Sequence, residues 1–186
     1  MVYRRAPSRR ATAAFTLVEI LVVVVILGVI SAVLIPQLTS RADLVASAAA
    51  RQVMSDLTYA QNQAITTQRR VFVQFTPVSA GGGVTGRGTY SVLTQLPATV
   101  MVHPITRSPW TVNFGGGRGA WATVAIDAAS FDGRTLLMFD EAGAPHTIAS
   151  PSSPPEPLSD GWVRVTCGGI TLTIRVEPLT GTLTVE

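Results

Sequence analysis

The hydrophobic residues of this chain follow three patterns in succession, and the first is an almost unbroken apolar run. Residues 15–35 contain a single charged side chain, Glu19. A helix of these 21 residues has a length of roughly 32 Å, enough to cross a hydrocarbon core of about 30 Å. The run therefore predicts a transmembrane helix. Pro36 follows directly and predicts a helix kink, because proline lacks a backbone N–H and clashes with the preceding turn.

The second pattern is amphipathic and helical. After Pro36, apolar residues recur every three or four positions, which is typical of a helix with one face on a core. Asp43, Ser47 and Arg51 fall on the opposite side of this helix. We therefore predict one helix from about residue 15 to 67, embedded in its first half and amphipathic in its second. The apolar stripe consists of Leu38, Ala42, Val45, Ala49, Val53, Leu57, Ala60 and Ala64.

The third pattern begins after Arg70, where apolar and polar residues alternate in short stretches. Such alternation predicts strands, and the intervening Gly, Pro and Ser residues predict loops. Gly168-Gly169 suits a two-residue hairpin turn, and Leu179-Thr180-Gly181 suits the next turn. The predicted fold class is α+β, with a long N-terminal helix packed on an antiparallel β-rich head. The predicted strands are 71–75, 89–93, 98–102, 110–114, 123–126, 135–139, 161–167, 170–176 and 182–185; the main loops are 81–83, 115–119 and 150–157.

Composition adds two exclusions. Only 13% of the 186 residues are charged and 47% are hydrophobic, which excludes a disordered, highly charged chain. All 14 basic residues are arginines, and Arg4, Arg5, Arg9 and Arg10 precede the apolar run. The rest of the chain has 10 basic and 11 acidic residues, so its composition does not indicate a strongly basic nucleic-acid-binding domain. The N-terminal arginines predict a cytoplasmic N-terminus and a head on the other side of the membrane.

The sequence contains no group of residues that indicates catalysis. His103, His146 and Cys167 are the residues that could form a nucleophile–base pair, but no local motif orients them. Both histidines adjoin a proline and are predicted in loops, and a lone cysteine among Val and Thr residues is typical of a small buried side chain. We predict no enzyme, no catalytic residue, no metal site and no cofactor.

Two other patterns have simple structural explanations. The glycine-rich stretch at 115–119 lacks the Gly-Lys-Ser/Thr of a phosphate-binding loop and precedes a predicted strand, so it is interpreted as a surface loop. Asp127 with Asp132, and Asp140 with Glu141, match the spacing of no calcium-binding loop. We interpret these acids as turn residues.

The segment Ala14-Phe15-Thr16-Leu17-Val18-Glu19 resembles the N-terminal cleavage and methylation motif of type IV pilins and type II secretion pseudopilins. Ala14 stands where that superfamily usually has glycine. The resemblance implies that prepilin peptidase cuts between Ala14 and Phe15 and methylates the new amine of Phe15. It also implies that Glu19 pairs with the Phe15 amine of a neighbouring subunit, and Pro36 matches the kink-forming proline of such pilins. The implied organisation is a leader (1–14), a transmembrane segment (15–36), an amphipathic helix (37–68) and a head (69–186).

The head resembles the H-type minor pseudopilin (GspH) and FimT group in three segments, residues 49–75, 137–143 and 174–181. This resemblance implies a non-enzymatic minor subunit that acts near the tip or in priming of a type II secretion pseudopilus or a type IV pilus. Its implied location is the cytoplasmic (inner) membrane with the head outside, and its implied partners are other pilin-type subunits and secreted cargo.

Two alternatives stay open. The first is a FimT-like minor pilin that binds DNA during uptake through head arginines, and the second is a single-pass membrane-anchored binding protein. The arginines available for DNA are Arg107, Arg118, Arg134, Arg164 and Arg175, of which Arg164 and Arg175 are predicted on one exposed strand face.

Overall fold

The computed structural model describes residues 16–38, 41–78, 87–96, 99–115, 121–150 and 153–186. The chain divides into two compact units, residues 1–40 and 41–186. The first contains helix α1 (Leu17–Leu38), and the second contains helix α2 (Arg41–Thr67) and all described strands. The predicted α+β class, an N-terminal helix with an antiparallel β-rich head, is confirmed.

Helix α1 begins at a side-chain cap. The N–H of Glu19 donates to the Thr16 hydroxyl oxygen at 3.2 Å and to the Thr16 carbonyl at 3.1 Å, so Thr16 is the N-cap. The helix continues through Pro36 to Leu38, and the predicted kink stays a prediction. Every side chain from Thr16 to Ser31 is exposed. Among the residues that the structure describes, no helix is at once long enough and apolar enough to span a bilayer.

Helix α2 has the predicted amphipathic pattern. Its stripe residues from Ala49 to Ala64 are almost fully buried, whereas Asp43 and Arg51 are exposed and Ser47 is half-buried. The helix ends because Gln68 adopts a left-handed φ of 52° and the N–H of Arg69 bonds the Ala64 carbonyl at 3.2 Å. Residues 39–40 lie outside the described residues, so a single helix from 15 to 67 stays a prediction.

Eleven strands are present in the described part of the head, and they form two antiparallel sheets. The strands are β1 (Val71–Thr76), β2 (Thr89–Gln95), β3 (Thr99–Val100), β4 (Thr111–Asn113), β5 (Val124–Phe131), β6 (Leu136–Phe139), β7 (Pro145–Thr147), β8 (Glu156–Pro157), β9 (Gly161–Cys167), β10 (Ile170–Val176) and β11 (Leu183–Val185). The first sheet has the order β3-β2-β1-β6-β7-β8, with β4 also beside β2. The second has the order β11-β10-β9-β5.

The longer strands and β11 were predicted well, but β7 and β8 were missed. The prediction that His146 lies in a loop is wrong, because His146 is in β7 and pairs with Met138 and Pro157. The predicted loop at 150–157 is also wrong at its end, where Glu156–Pro157 form β8. Strands of two or three residues have no readable alternation, and these two exist because they add to an existing sheet edge, where proline is tolerated. The predicted strands 98–102 and 110–114 shorten to β3 and β4, and 123–126 extends to Phe131 through a bulge after Ile126.

The core lies between α2 and the two sheets. The apolar stripe of α2 packs against β1 of the first sheet and against β9 and β10 of the second. In β10, Ile174 and Val176 are buried while Thr171 and Arg175 are exposed, as the alternation predicted. The β9–β10 hairpin turns through Gly168 and Gly169, whose φ values of 57° and 88° are those that a two-residue turn of this type requires. The largest fully buried side chains are Tyr90, Phe75, Phe114, Phe131 and Phe139.

Candidate functional site

The candidate site at the start of α1 is an exposed carboxylate in the first helical turn. Ala14 and Phe15 lie outside the described residues, and Thr16 and Glu19 are described. Glu19 is the third residue of α1, and its backbone N–H is the one that the Thr16 side chain caps. The helix dipole favours a negative charge at this end. None of the ion pairs among the described residues involves Glu19.

The head arginines are dispersed, with one exception. Arg107 is exposed in the loop after β3, Arg118 lies outside the described residues, and Arg134 precedes β6 and pairs with Glu156 at 3.0 Å. Arg164 and Arg175 are on adjacent strands of the second sheet, where Arg164 faces Thr173 and Arg175 faces Trp162. The structure therefore brings together only these two described arginines on one strand face.

Carboxylates already surround this pair of arginines. Arg164 lies 3.6 Å from Asp127, and its guanidinium lies over the Trp162 ring at 5.1 Å from the centroid. Arg175 lies 3.0 Å from Glu186 and 3.5 Å from Asp160. The hydrogen bond and the charge of Glu186 raise the pKa of Arg175. The face is thus a mixed-charge surface with three acids and two bases.

The other candidate residues have structural roles. The His103 Nδ1 accepts the N–H groups of Ile105 and Thr106 at 3.2 and 3.3 Å, in a loop as predicted. Cys167 is buried, as predicted, and lies 3.3 Å from the Thr123 hydroxyl. The His146 Nδ1 lies 3.1 Å from the Ala144 carbonyl. Among the contacts of these described residues, none joins a histidine to the cysteine.

The predicted turn acids divide into two groups. The Asp140 carboxylate accepts the N–H groups of Ala142 and Ala144, and Asp132 accepts those of Ser159 and Asp160, so both act in turns. Burial would raise the pKa of Asp132, but the hydrogen bonds from Ser159 and Asp160 outweigh it and lower that pKa. Glu141 also lies in a turn, directly after Asp140, and pairs with Arg70 at 3.5 Å. The prediction that Asp127 is a turn residue is wrong, because Asp127 is in β5. The described residues contain no group of three His, Cys, Asp or Glu side chains placed to hold a metal.

The sequence analysis missed a buried aspartate on α2. Asp56 is 4% exposed, and its Oδ2 accepts the Tyr90 hydroxyl at 2.6 Å and the Trp110 indole N–H at 3.1 Å. Its Oδ1 accepts the Gln52 side-chain amide at 2.8 Å. A signal for it was present: position 56 falls three residues after Val53 and next to Leu57, on the apolar side of the helical pattern. This carboxylate joins α2 to the first sheet from inside the core.

A second residue that the sequence analysis missed is Gln61. It joins the three segments in which the head resembles the GspH and FimT group, residues 49–75, 137–143 and 174–181. Its side-chain amide donates to the carbonyls of Gly143 and Thr180 at 2.8 and 2.7 Å. The turn that contains Gly143 and the turn that contains Thr180 are therefore both attached to α2 by the Gln61 side chain. The second turn requires glycine, because Gly181 has a φ of 69° and a Cβ there would lie 2.6 Å from the Gln61 side-chain nitrogen.

Comparison with known proteins finds a match for the N-terminal segment but none for the head. The family described as the prokaryotic N-terminal methylation motif matches residues 9–35, a range that contains Ala14, Phe15 and Glu19. The motif indicates a prepilin-type subunit of the pilin and pseudopilin class, which is a structural class of protein. It thereby implies a membrane-anchored pilin that is processed by prepilin peptidase and assembled with other pilin subunits in a pilus. No curated protein and no solved structure matches the chain. The resemblance of the head to the GspH and FimT group stays a prediction.

Proposed function

We propose that this chain is a non-enzymatic minor subunit of a type II secretion pseudopilus or a type IV pilus, cut between Ala14 and Phe15 and methylated at Phe15. The observation that carries the proposal is the methylation motif at residues 9–35, which coincides with the start of α1. Thr16 caps the helix immediately after the proposed cleavage point. Cleavage there would leave the new amine next to a complete helix start, so no helical turn has to be rebuilt.

Glu19 is the proposed assembly residue. It is exposed, and four residues along a helix correspond to about 6 Å, so a neighbour displaced axially by about that distance could bring its Phe15 amine to this carboxylate. Removing one partner of a buried ion pair is destabilising by about 3–5 kcal/mol. The pair would therefore set the axial register between subunits. Each subunit would need both its Phe15 amine and its Glu19 carboxylate.

The proposed location before assembly is the cytoplasmic membrane, with the N-terminus inside and the head outside. The support comes from the apolar run at 15–35 and from the four arginines that precede it. The apolar side chains of α1 as far as Ile30 are exposed, so they need cover from lipid or from neighbouring helices. The proposed position near the tip or in priming, and any contact with secreted cargo, follow only from the resemblance of the head.

The test is the intact mass and N-terminal sequence of the protein, expressed with active prepilin peptidase and with an inactive one. We expect a start at Phe15 and the added mass of one methyl group only with the active enzyme. Ala14→Gly is the matched control, because it restores the usual residue before the cut. If the unaltered chain and Ala14→Gly both keep Met1, the chain is a single-pass anchored protein and the proposal is wrong.

DNA binding is the second candidate, and the shared face of Arg164 and Arg175 beside Trp162 is the observation in its favour. The nearby carboxylates oppose it, because phosphate binding would have to compete with pairs that already exist. The discriminating measurement is duplex DNA binding by the detergent-solubilised chain at 50 and 200 mM salt. We expect no salt-dependent binding; a steep loss with salt that Arg164→Gln abolishes would establish this function.

A further inference from the structure

A polar groove lies at the opposite end of α2 from Arg41. It is formed by the last turns of α2, the start of β1 and the end of β2, and its volume is about 470 Å³. That volume is within the range of about 300–1,000 Å³ that is usual for ligand sites. The groove is lined by Gln63, Thr67, Arg69, Arg70, Val71, Thr94, Gln95 and Met101, all of which the structure describes.

The polar lining is rich in hydrogen-bond donors and contains no carboxylate. Both hydroxyl groups are already engaged, since Thr67 donates to the Gln63 carbonyl and Thr94 to the Thr99 carbonyl. Arg70 is partly engaged as well, because it pairs with Glu141 at 3.5 Å. The donors that remain for a ligand are therefore the Arg69 guanidinium and the side-chain amides of two glutamines.

Arg69 is the cation on which the site depends. In the described part of the chain, no carboxylate lies at ion-pairing distance from its guanidinium, whereas Arg70, Arg134, Arg164 and Arg175 each have at least one. The turn that ends α2 fixes its backbone, because the Arg69 N–H bonds the Ala64 carbonyl. Gln63 is half-buried on α2 and Gln95 ends β2, so the two amides approach the groove from different elements.

The apolar part of the lining restricts the ligand further. Val71 and Met101 are 2% and 9% exposed, so a ligand that enters the groove meets apolar side chains as well as donors. A carboxylate on a short methylene stem satisfies both, because guanidinium and carboxylate have matching planar geometry. The phosphates of DNA or of a lipid surface come as arrays of many anions, and one unpaired cation is not the basic stripe that such a polyanion requires.

We propose that this groove binds the side-chain carboxylate of a glutamate from an acidic segment of a partner protein. Arg69 pairs with the carboxylate, the amides of Gln63 and Gln95 donate to its oxygens, and the methylene stem contacts Val71 and Met101. The site is on the head and does not depend on processing at Phe15. It therefore stands or falls independently of the proposed function.

The experiment is a titration of the full chain, ¹⁵N-labelled in non-ionic detergent micelles, with the peptide acetyl-Gly-Glu-Glu-Gly-amide followed by NMR. The controls are the Gln-Gln form of the peptide and inorganic phosphate. Arg69→Gln is the test variant, and Arg51→Gln is its match, because Arg51 is also an exposed arginine but is not in the groove. Gln95→Leu keeps the charge and removes one donor.

We expect saturable binding of the Glu-Glu peptide alone, with a Kd raised about 10–100-fold by Arg69→Gln and unchanged by Arg51→Gln. Gln95→Leu should raise the Kd by a smaller factor. No binding, or an equal loss in the two arginine variants, would overturn the proposal as a diffuse charge effect. Phosphate that shifts the same signals at the same concentrations would overturn the assignment to a carboxylate, and an unchanged Kd in Gln95→Leu would remove that amide from the site.

Discussion

Replacing Asp56 by alanine tests how α2 is attached to the first sheet. The carboxylate is buried and accepts three side-chain donors, from Gln52, Tyr90 and Trp110. The alanine variant leaves the Tyr90 hydroxyl and the Trp110 indole N–H without an acceptor, and these residues are 1% and 3% exposed. A buried donor without a partner costs about 1–3 kcal/mol. Relief of the buried charge offsets part of this, so we expect a loss of about 2–4 kcal/mol in the free energy of unfolding.

Asp56→Asn is the matched variant, since it keeps the shape and one acceptor oxygen. That oxygen can replace Oδ2, which accepts both Tyr90 and Trp110, while the new amide faces Gln52. Gln52 is half-buried on α2 and can turn its carboxamide to offer its oxygen instead. The hydrogen bonds lose their charge assistance, but the cost of burying a charge disappears. We therefore expect Asp56→Asn to lose about 1 kcal/mol or less.

The assay is urea denaturation of the detergent-solubilised chain at pH 7, followed by near-ultraviolet circular dichroism of the head tryptophans. The unaltered chain and both variants should unfold with the same denaturant dependence, so that the midpoints compare directly. The reasoning is refuted if Asp56→Ala loses less than about 1 kcal/mol. It is also refuted if Asp56→Asn is as damaging as alanine, since the negative charge and not the acceptor geometry would then hold the contact.

Three further predictions use other parts of the chain. Burial, then the charge of Asp56 and its hydrogen bond, raise the pKa of the Tyr90 hydroxyl well above its usual value. The stability gained by keeping this hydroxyl protonated is complete below about pH 10 and is lost as the pH rises through the folded-state pKa. Between pH 9 and pH 11 the urea midpoint should fall more in the unaltered chain than in Tyr90→Phe, and an equal fall in both would contradict this. Gly181→Ala should destabilise the head by about 2–3 kcal/mol, because the new Cβ displaces the side-chain amide of Gln61. The control Gly133→Ala, at a left-handed φ of 81° in open space, should cost only about 1 kcal/mol of backbone strain. Similar melting temperatures for the two variants would exclude the Gln61 contact as the cause. Glu19→Gln should leave the urea midpoint of the head unchanged, because Glu19 is exposed. The same variant should lower the amount of the chain incorporated into sheared filaments by about 100-fold or more. Normal incorporation would show that Glu19 is not needed for assembly.

Much of the site was accessible from the sequence, because the information is local. Thr16 and Glu19 are three residues apart, and the cap between them needs only one helical turn. The apolar stripe of α2 and the β9–β10 hairpin are likewise encoded in spacings of two to four residues, so periodicity, together with the Gly168-Gly169 pair for the hairpin, predicted them. The match of a known motif to residues 9–35 rests on the same local order of residues.

What only the tertiary structure decided involves residues distant in the chain. Asp56 meets Trp110 across 54 positions and Gln61 meets Thr180 across 119, and no local pattern encodes such pairs. The division of the strands into two sheets, the short strands β7 and β8, and the carboxylate partners of Arg164 and Arg175 depend in the same way on register and on which edges meet. Local spacing therefore determined the elements and the N-terminal motif. Packing decided which polar groups are buried, which are paired, and which, like Arg69, are left facing a groove.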